Sequence, residues 1–227
     1  MDISPEQLRW VFIYVFVLIV SVALHEFGHA FMADRLGDDT PRRQGRVTLN
    51  PLAHADPVGT LLLPLLGGLY GAASGMAGGF GWGKPVQWQP SRIRRGISMS
   101  TATILVAIAG PGMNLVLAIV LAFVHVLLVT QHVLSPDGDP SQILQFAATT
   151  NIVLMFFNLL PLPPLDGGHV AQTFVPYKHR RAAEDIFRYA PFVLLAIMMI
   201  PAFRQVFLIP ANWCTSGIYR LFVALLA

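Results

Sequence analysis

The chain has 227 residues, of which 55% are hydrophobic and only 12% charged, and its mean hydropathy is +0.61. A soluble domain carries roughly 25% charged residues, so this composition excludes an ordinary soluble globule and predicts one integral membrane domain over residues 1–227. The net charge of +3 does not signal nucleic acid, because the fifteen Lys and Arg fall in short clusters between apolar stretches, as in loops that face anionic lipid. A single cysteine, Cys214, leaves no internal disulfide and no thiolate metal site.

The first apolar span is expected over about Leu8 to Ala33, ending at Asp34, Arg35 and Gly37, with Gly37 as its C-cap. Its flank (Asp2, Glu6, Arg9) lacks the basic start of a signal peptide, and no A-x-A site follows, so the span is expected to be retained. It contains His25, Glu26 and His29 in the order HEFGH. Residues four apart share a helix face, so the two imidazoles can grip one metal ion, with Glu26 about one hundred degrees round as a base for an attacking water. An ionisable group at membrane depth costs about 2.5 to 3.5 kcal/mol, which argues against three arising together by chance.

Asp38 to Pro57 is polar, and GRVTLNP within it reads as a short strand closed by a turn at Asn50 and Pro51. Val58 to Phe80 is apolar but holds seven glycines and Pro64, which suits a broken or membrane-dipping segment at least as well as a straight helix. Gly81 to Gly96 (GWGKPVQWQPSRIRRG) reads as an interfacial loop anchored by Trp82 and Trp88. A long span follows from Ile97 to Thr130, with Pro111 inside it. Ile143 to Leu162 is the next span, stopped by Pro161, Pro163 and Pro164 ahead of Asp166, Gly167 and Gly168. Two further spans are expected at about Ala183 to Ile200 and Gln205 to Ala227. The result is an all-α polytopic bundle of five to six transmembrane segments, with a short membrane-associated β or re-entrant segment after the first helix.

If Val58 to Phe80 dips and returns, the basic loops at 34–57, 81–96 and 165–182 all face the cytoplasm and the Lys-free loop at 131–142 faces out. The same topology brings Asp166 to the membrane face of His25 and His29. A catalytic zinc site usually takes three protein ligands, and only Glu26 and Asp166 are acidic residues within or at the end of apolar spans. With Glu26 as base, Asp166 is the candidate third ligand, against the simpler reading that it turns the chain in LDGG.

These motifs resemble the site-2 protease family, the M50-type intramembrane zinc metalloproteases. HEFGH (25–29) and NLLPLPPLDGG (158–168) carry the resemblance. GRVTLNPLAHADPVGT (45–60), GWGKPV (81–86) and AGPGMN (109–114) are similar to a compact prokaryotic branch, expected to lack a PDZ or CBS module. The resemblance implies one zinc ion held by His25, His29 and Asp166, with Glu26 as general base. The resembling segments put a catalytic core at about 8–170, while the two accessory C-terminal spans at about 183–227 carry no recognised motif; the branch suggests a prokaryotic cell membrane, and the basic loops put the site towards the cytoplasm. Substrates would be transmembrane segments of other proteins within the lipid bilayer. Asn158 is implied as a substrate-positioning residue, although an asparagine at a helix end can equally satisfy its own backbone.

Pro163 stands in the proline-broken segment that could help hold an extended substrate. His54 and His169 are weaker candidates for supporting roles around the metal. His125 is expected to be packed or hydrogen-bonded within its span, and Asn114 to bond across helices. Two other readings use the same residues: a membrane zinc hydrolase of a non-protein substrate, and a non-catalytic metal-binding membrane protein.

Overall fold

The computed structural model describes residues 3–74, 81–198 and 200–226, and among them every regular element is helical. The chain divides into two compact units, Met1–Arg92 and Ile93–Ala227.

In the first unit, α1 (Pro5–Leu36) runs 32 residues. Ser4 opens it with a capping box shared with Gln7, and Gly37 closes it in the left-handed region at φ 112°, where a side chain would be strained. The expected C-cap is therefore present. Two short helices follow, α2 (Thr40–Arg43) and α3 (Pro51–His54). A π-helical turn over Pro57–Leu62 then continues into α4 (Leu63–Ser74). Asp56 starts that turn by accepting from the Val58 and Gly59 amides. Val58 to Ser74 is thus helical, while the last residues of the expected dip, 75–80, lie outside the described residues. Elements α2, α3 and α4 all pack on α1.

The strand expected in GRVTLNP does not form. The Thr48 hydroxyl accepts from the Asn50 amide, and the Asn50 side chain accepts from the Leu52 amide, so local side-chain bonds turn the backbone into α3 instead of a ladder. Asp38 is fully buried and holds the Thr40 amide and hydroxyl as well as the Gln89 amide, which ties the end of α1 to the distant 81–92 segment.

The second unit contains α5 (Met99–Thr130), α6 (Asp139–Asn158), α7 (Asp166–Thr173), α8 (Arg180–Met198) and α9 (Pro201–Leu226). Pro111 lies inside α5. The core of this unit joins α6, α8 and α9 through Phe157, Leu194 and Phe207, and joins α5, α6 and α9 through Ala118, Ile152 and Ala211. Asn114 donates to Asn151 across α5 and α6 at 2.9 Å, with both side chains fully buried, as expected for Asn114. His125 packs edge-on to the Tyr219 ring at 5.6 Å, consistent with a packed role. Helix α6 ends at Asn158, before the expected Leu162, with Leu159 as its C-cap, because Pro161 pushes the residue before it, Leu160, out of the helical region.

Helices α1 and α5, each of 32 residues, are long and apolar enough to cross a membrane.

Candidate active site

The first unit places three of the candidate site residues, His25, Glu26 and His29, on α1. His25 and His29 are both buried, and their Nε2 atoms are 3.0 Å apart with the rings nearly perpendicular. Two nitrogens bound to one tetrahedral zinc at about 2.0 to 2.1 Å sit about 3.3 Å apart, so the pair fits that ion with a small adjustment. The helix alone produces this arrangement, because the i, i+4 spacing stacks the two imidazoles on one face.

Glu26 leaves α1 on a neighbouring face, and its Oε2 accepts from the Val86 amide at 3.2 Å. Val86 belongs to GWGKPV, which lies along α1 without joining a sheet. Several bonds hold it there. The Trp82 amide donates to Gly59 O at 3.0 Å, the Thr60 hydroxyl donates to Trp82 O at 2.8 Å, and the Lys84 amide donates to His54 O at 2.9 Å. Glycine is required at 83, since a Cβ there would come within 2.6 Å of Val22 and 3.0 Å of the Glu26 Cγ. The Trp82 indole likewise lies where a Cβ on Gly59 would collide.

Arg46 is 4% exposed and directs its guanidinium at backbone carbonyls: Ala53, Lys84 at 2.6 Å and Pro85 at 2.9 Å. Burial pulls its pKa down, and the negative charge of Glu26 pushes it back up. Arg46, Gly83 and Val86 were not among the site residues read from the sequence. The signal available was their place in the matched segments 45–60 and 81–86, which named the segments but not the contacts.

His54 is fully buried, and its Nε2 lies 2.9 Å from Thr48 O, an oxygen that can only accept, so this nitrogen carries the proton. Burial lowers its pKa from the ordinary 6.5, which keeps it neutral. The folded pKa is the lower one, so the contribution to stability is present above pH 6.5 and is lost as pH falls from there through the folded value. Thermal unfolding in detergent should therefore shift down between pH 7.5 and 5.5, and His54→Gln should flatten that part of the slope. An unchanged slope would mean that His54 does not carry the effect.

In the second unit, Asp166 is the first residue of α7 and half-buried. Gly167 and Gly168 let this helix start close against the preceding turn: a Cβ on Gly167 would run into the Leu159 and Leu160 carbonyls, and one on Gly168 would lie 2.8 Å from the Pro163 Cα. Pro163 is buried beneath that contact. Asn158 donates from Nδ2 to Leu154 O in its own helix at 2.9 Å, the local backbone bond that was the alternative to a substrate contact. His169 lies three residues beyond Asp166 and is exposed.

The model of Peptidase family M50 matches residues 13–137 and 134–201. Among known proteins the chain is 36% identical to YwhC of Bacillus subtilis (strain 168), provisionally named a zinc metalloprotease, over 93% of this chain and 91% of that one. It is 30% identical to Rip2 of Mycobacterium tuberculosis (strain H37Rv), likewise provisionally named a zinc metalloprotease, over 96% of this chain and 77% of the other. A protein of that name from Mycolicibacterium smegmatis is 29% identical over 89% of this chain and 74% of its own. No solved structure matches the chain. An HExxH pair in zinc-binding geometry, within an apolar helix and inside matched stretches that span most of the sequence, means that the chain belongs to Peptidase family M50.

Proposed function

We propose that the protein is an intramembrane zinc endopeptidase that hydrolyses peptide bonds in transmembrane segments of other proteins. The observation that carries this reading is the His25–His29 pair with Glu26 beside it, built into a helix apolar enough to cross the bilayer. His25, His29 and Asp166 hold one zinc ion, and Glu26 is the general base. Support for Asp166 comes from its place at the start of α7 in LDGG and from the family match, which takes in all three residues. When bound, zinc supplies polarisation of the scissile carbonyl and acidifies the attacking water. Glu26 accepts the proton from that water and passes it to the leaving amine. His25 and His29 orient the ion from a buried helix face, and the 81–86 segment holds Glu26 in place.

The finer membrane arrangement belongs to the same proposal. Helices α6, α8 and α9 cross together with α1 and α5, the apolar stretch from Val58 dips and returns, and the site faces the cytoplasm of a cell membrane. The clustering of Arg42, Arg43, Arg92, Arg94 and Arg95 in the segments between long apolar stretches supports this orientation. Residues 1–227 act as one protease domain.

Reconstitution tests the reading. Purified protein in lipid vesicles should cleave a labelled single-helix peptide within its apolar stretch. A zinc chelator should stop that cleavage, and added zinc should restore it. Turnover of a lipid amide but of no helix would move the reading to a non-protein substrate, and zinc binding with no turnover of either would make the protein a carrier.

A further inference from the structure

We propose that Arg46 is a positioning residue for Glu26, acting through the backbone of the 84–86 segment. The inference rests on the reading of Glu26 as general base. Arg46 stands forty residues before Val86 in sequence and does not touch Glu26 by any hydrogen bond. Its guanidinium spends its donors on Ala53 O, Lys84 O and Pro85 O, and these bonds clamp α3 to the segment that passes Glu26. Nη1 donates to Ala53 O and Nη2 to both Lys84 O and Pro85 O, so the planar fork reaches α3 with one nitrogen and the segment with the other, a span that a single ammonium centre does not cover. The next amide after the clamped Pro85 is Val86 N–H, and it donates to Glu26 Oε2.

Other features show that this placement is built. Gly83 is bare where α1 approaches closest, so the segment can reach Glu26 at all. Lys84 N–H is already committed to His54 O, and residue 85 is a proline with no N–H to offer. Val86 is therefore the first amide beyond the clamp that can turn to the carboxylate. A charged group that is 4% exposed and satisfied by carbonyls, with no carboxylate partner in bonding contact, is expensive to bury for packing alone.

The test is a double-mutant cycle on the full-length, zinc-loaded protein in vesicles, using Arg46→Lys, Val86→Pro and the pair, with a labelled single-helix peptide as substrate. Each single change should lower kcat about tenfold, with KM moving less than about twofold and zinc staying at one per chain. The double variant should be no worse than the weaker single, because both changes break one path. Hydrogen exchange gives a readout independent of turnover: the amides of Lys84 and of residues 86 to 88 should lose protection in Arg46→Lys while those of α1 keep theirs. Additive losses of about a hundredfold, a change confined to KM, or unaltered exchange at those amides would overturn the proposal. So would an Arg46→Lys protein that loses zinc or fails to fold, since Arg46 would then hold the fold and not the base. Glu26→Gln, run alongside, separates the two claims: if that variant still turns over, the assignment of the base falls, whereas its inactivity with an additive cycle removes only the role of Arg46.

Discussion

Glu26→Gln should lower turnover by about 10²- to 10⁴-fold while zinc stays bound at one per chain, because proton transfer by a placed carboxylate is worth that much and Glu26 is not needed as a ligand. The substitution is nearly isosteric, and the amide oxygen of glutamine can still accept from the Val86 N–H, so the 81–86 segment should stay where it is. Metal analysis and a vesicle cleavage assay on the same preparation check both halves. A variant that keeps its activity would place the proton transfer on another group. One that loses zinc together with activity would make Glu26 part of the metal site.

Asp166→Ala should remove the metal. Losing an outer partner of a metal ligand typically costs 10- to 100-fold in affinity, and loss of a direct ligand should exceed that roughly hundredfold mark. Zinc should then wash out on dialysis against a weak chelator that leaves the wild type loaded, and cleavage should vanish with it. The effect on folding should be small, because an acidic residue in the first turn of α7 contributes only about 0.3 to 1 kcal/mol through the helix dipole. If Asp166 serves only to start that helix, the variant will instead keep one zinc per chain and lose a little stability. Asp166→Asn, which retains size and removes charge, should resemble Ala in zinc loss under the ligand reading.

Local geometry decided what could be read from the sequence. The metal-binding face of α1 was legible because four-residue spacing on a helix leaves little freedom, and Gly37 was legible because a helix end favours the residue that tolerates positive φ. Asn114 was legible in kind, as a polar group on an apolar span that must find a partner, though nothing in the sequence named Asn151. The GRVTLNP segment misled because its alternation of apolar and polar residues suggests a strand, while Thr48 and Asn50 supply side-chain acceptors that turn the backbone first. Arg46 counted as one more loop cation, and only the fold shows it buried among carbonyls drawn from residues 53, 84 and 85. Asn158 was named by resemblance, and one N–H of its side-chain amide bonds Leu154 O, a local contact that leaves its second N–H and its oxygen outside that bond.

The amide pair joining α5 to α6 limits how the second unit can move. Asn151 also gives its Nδ2 to Ala147 O, so both side chains are committed in a fully buried place where the packed alanines offer no substitute. Sliding one helix along the other by even a residue would strand these groups without water to replace the lost bonds, whereas tilting the two together leaves them intact. Any opening that admits a substrate should therefore carry α5 and α6 as a single lever, and spin labels placed one on each should keep a constant separation through the catalytic cycle.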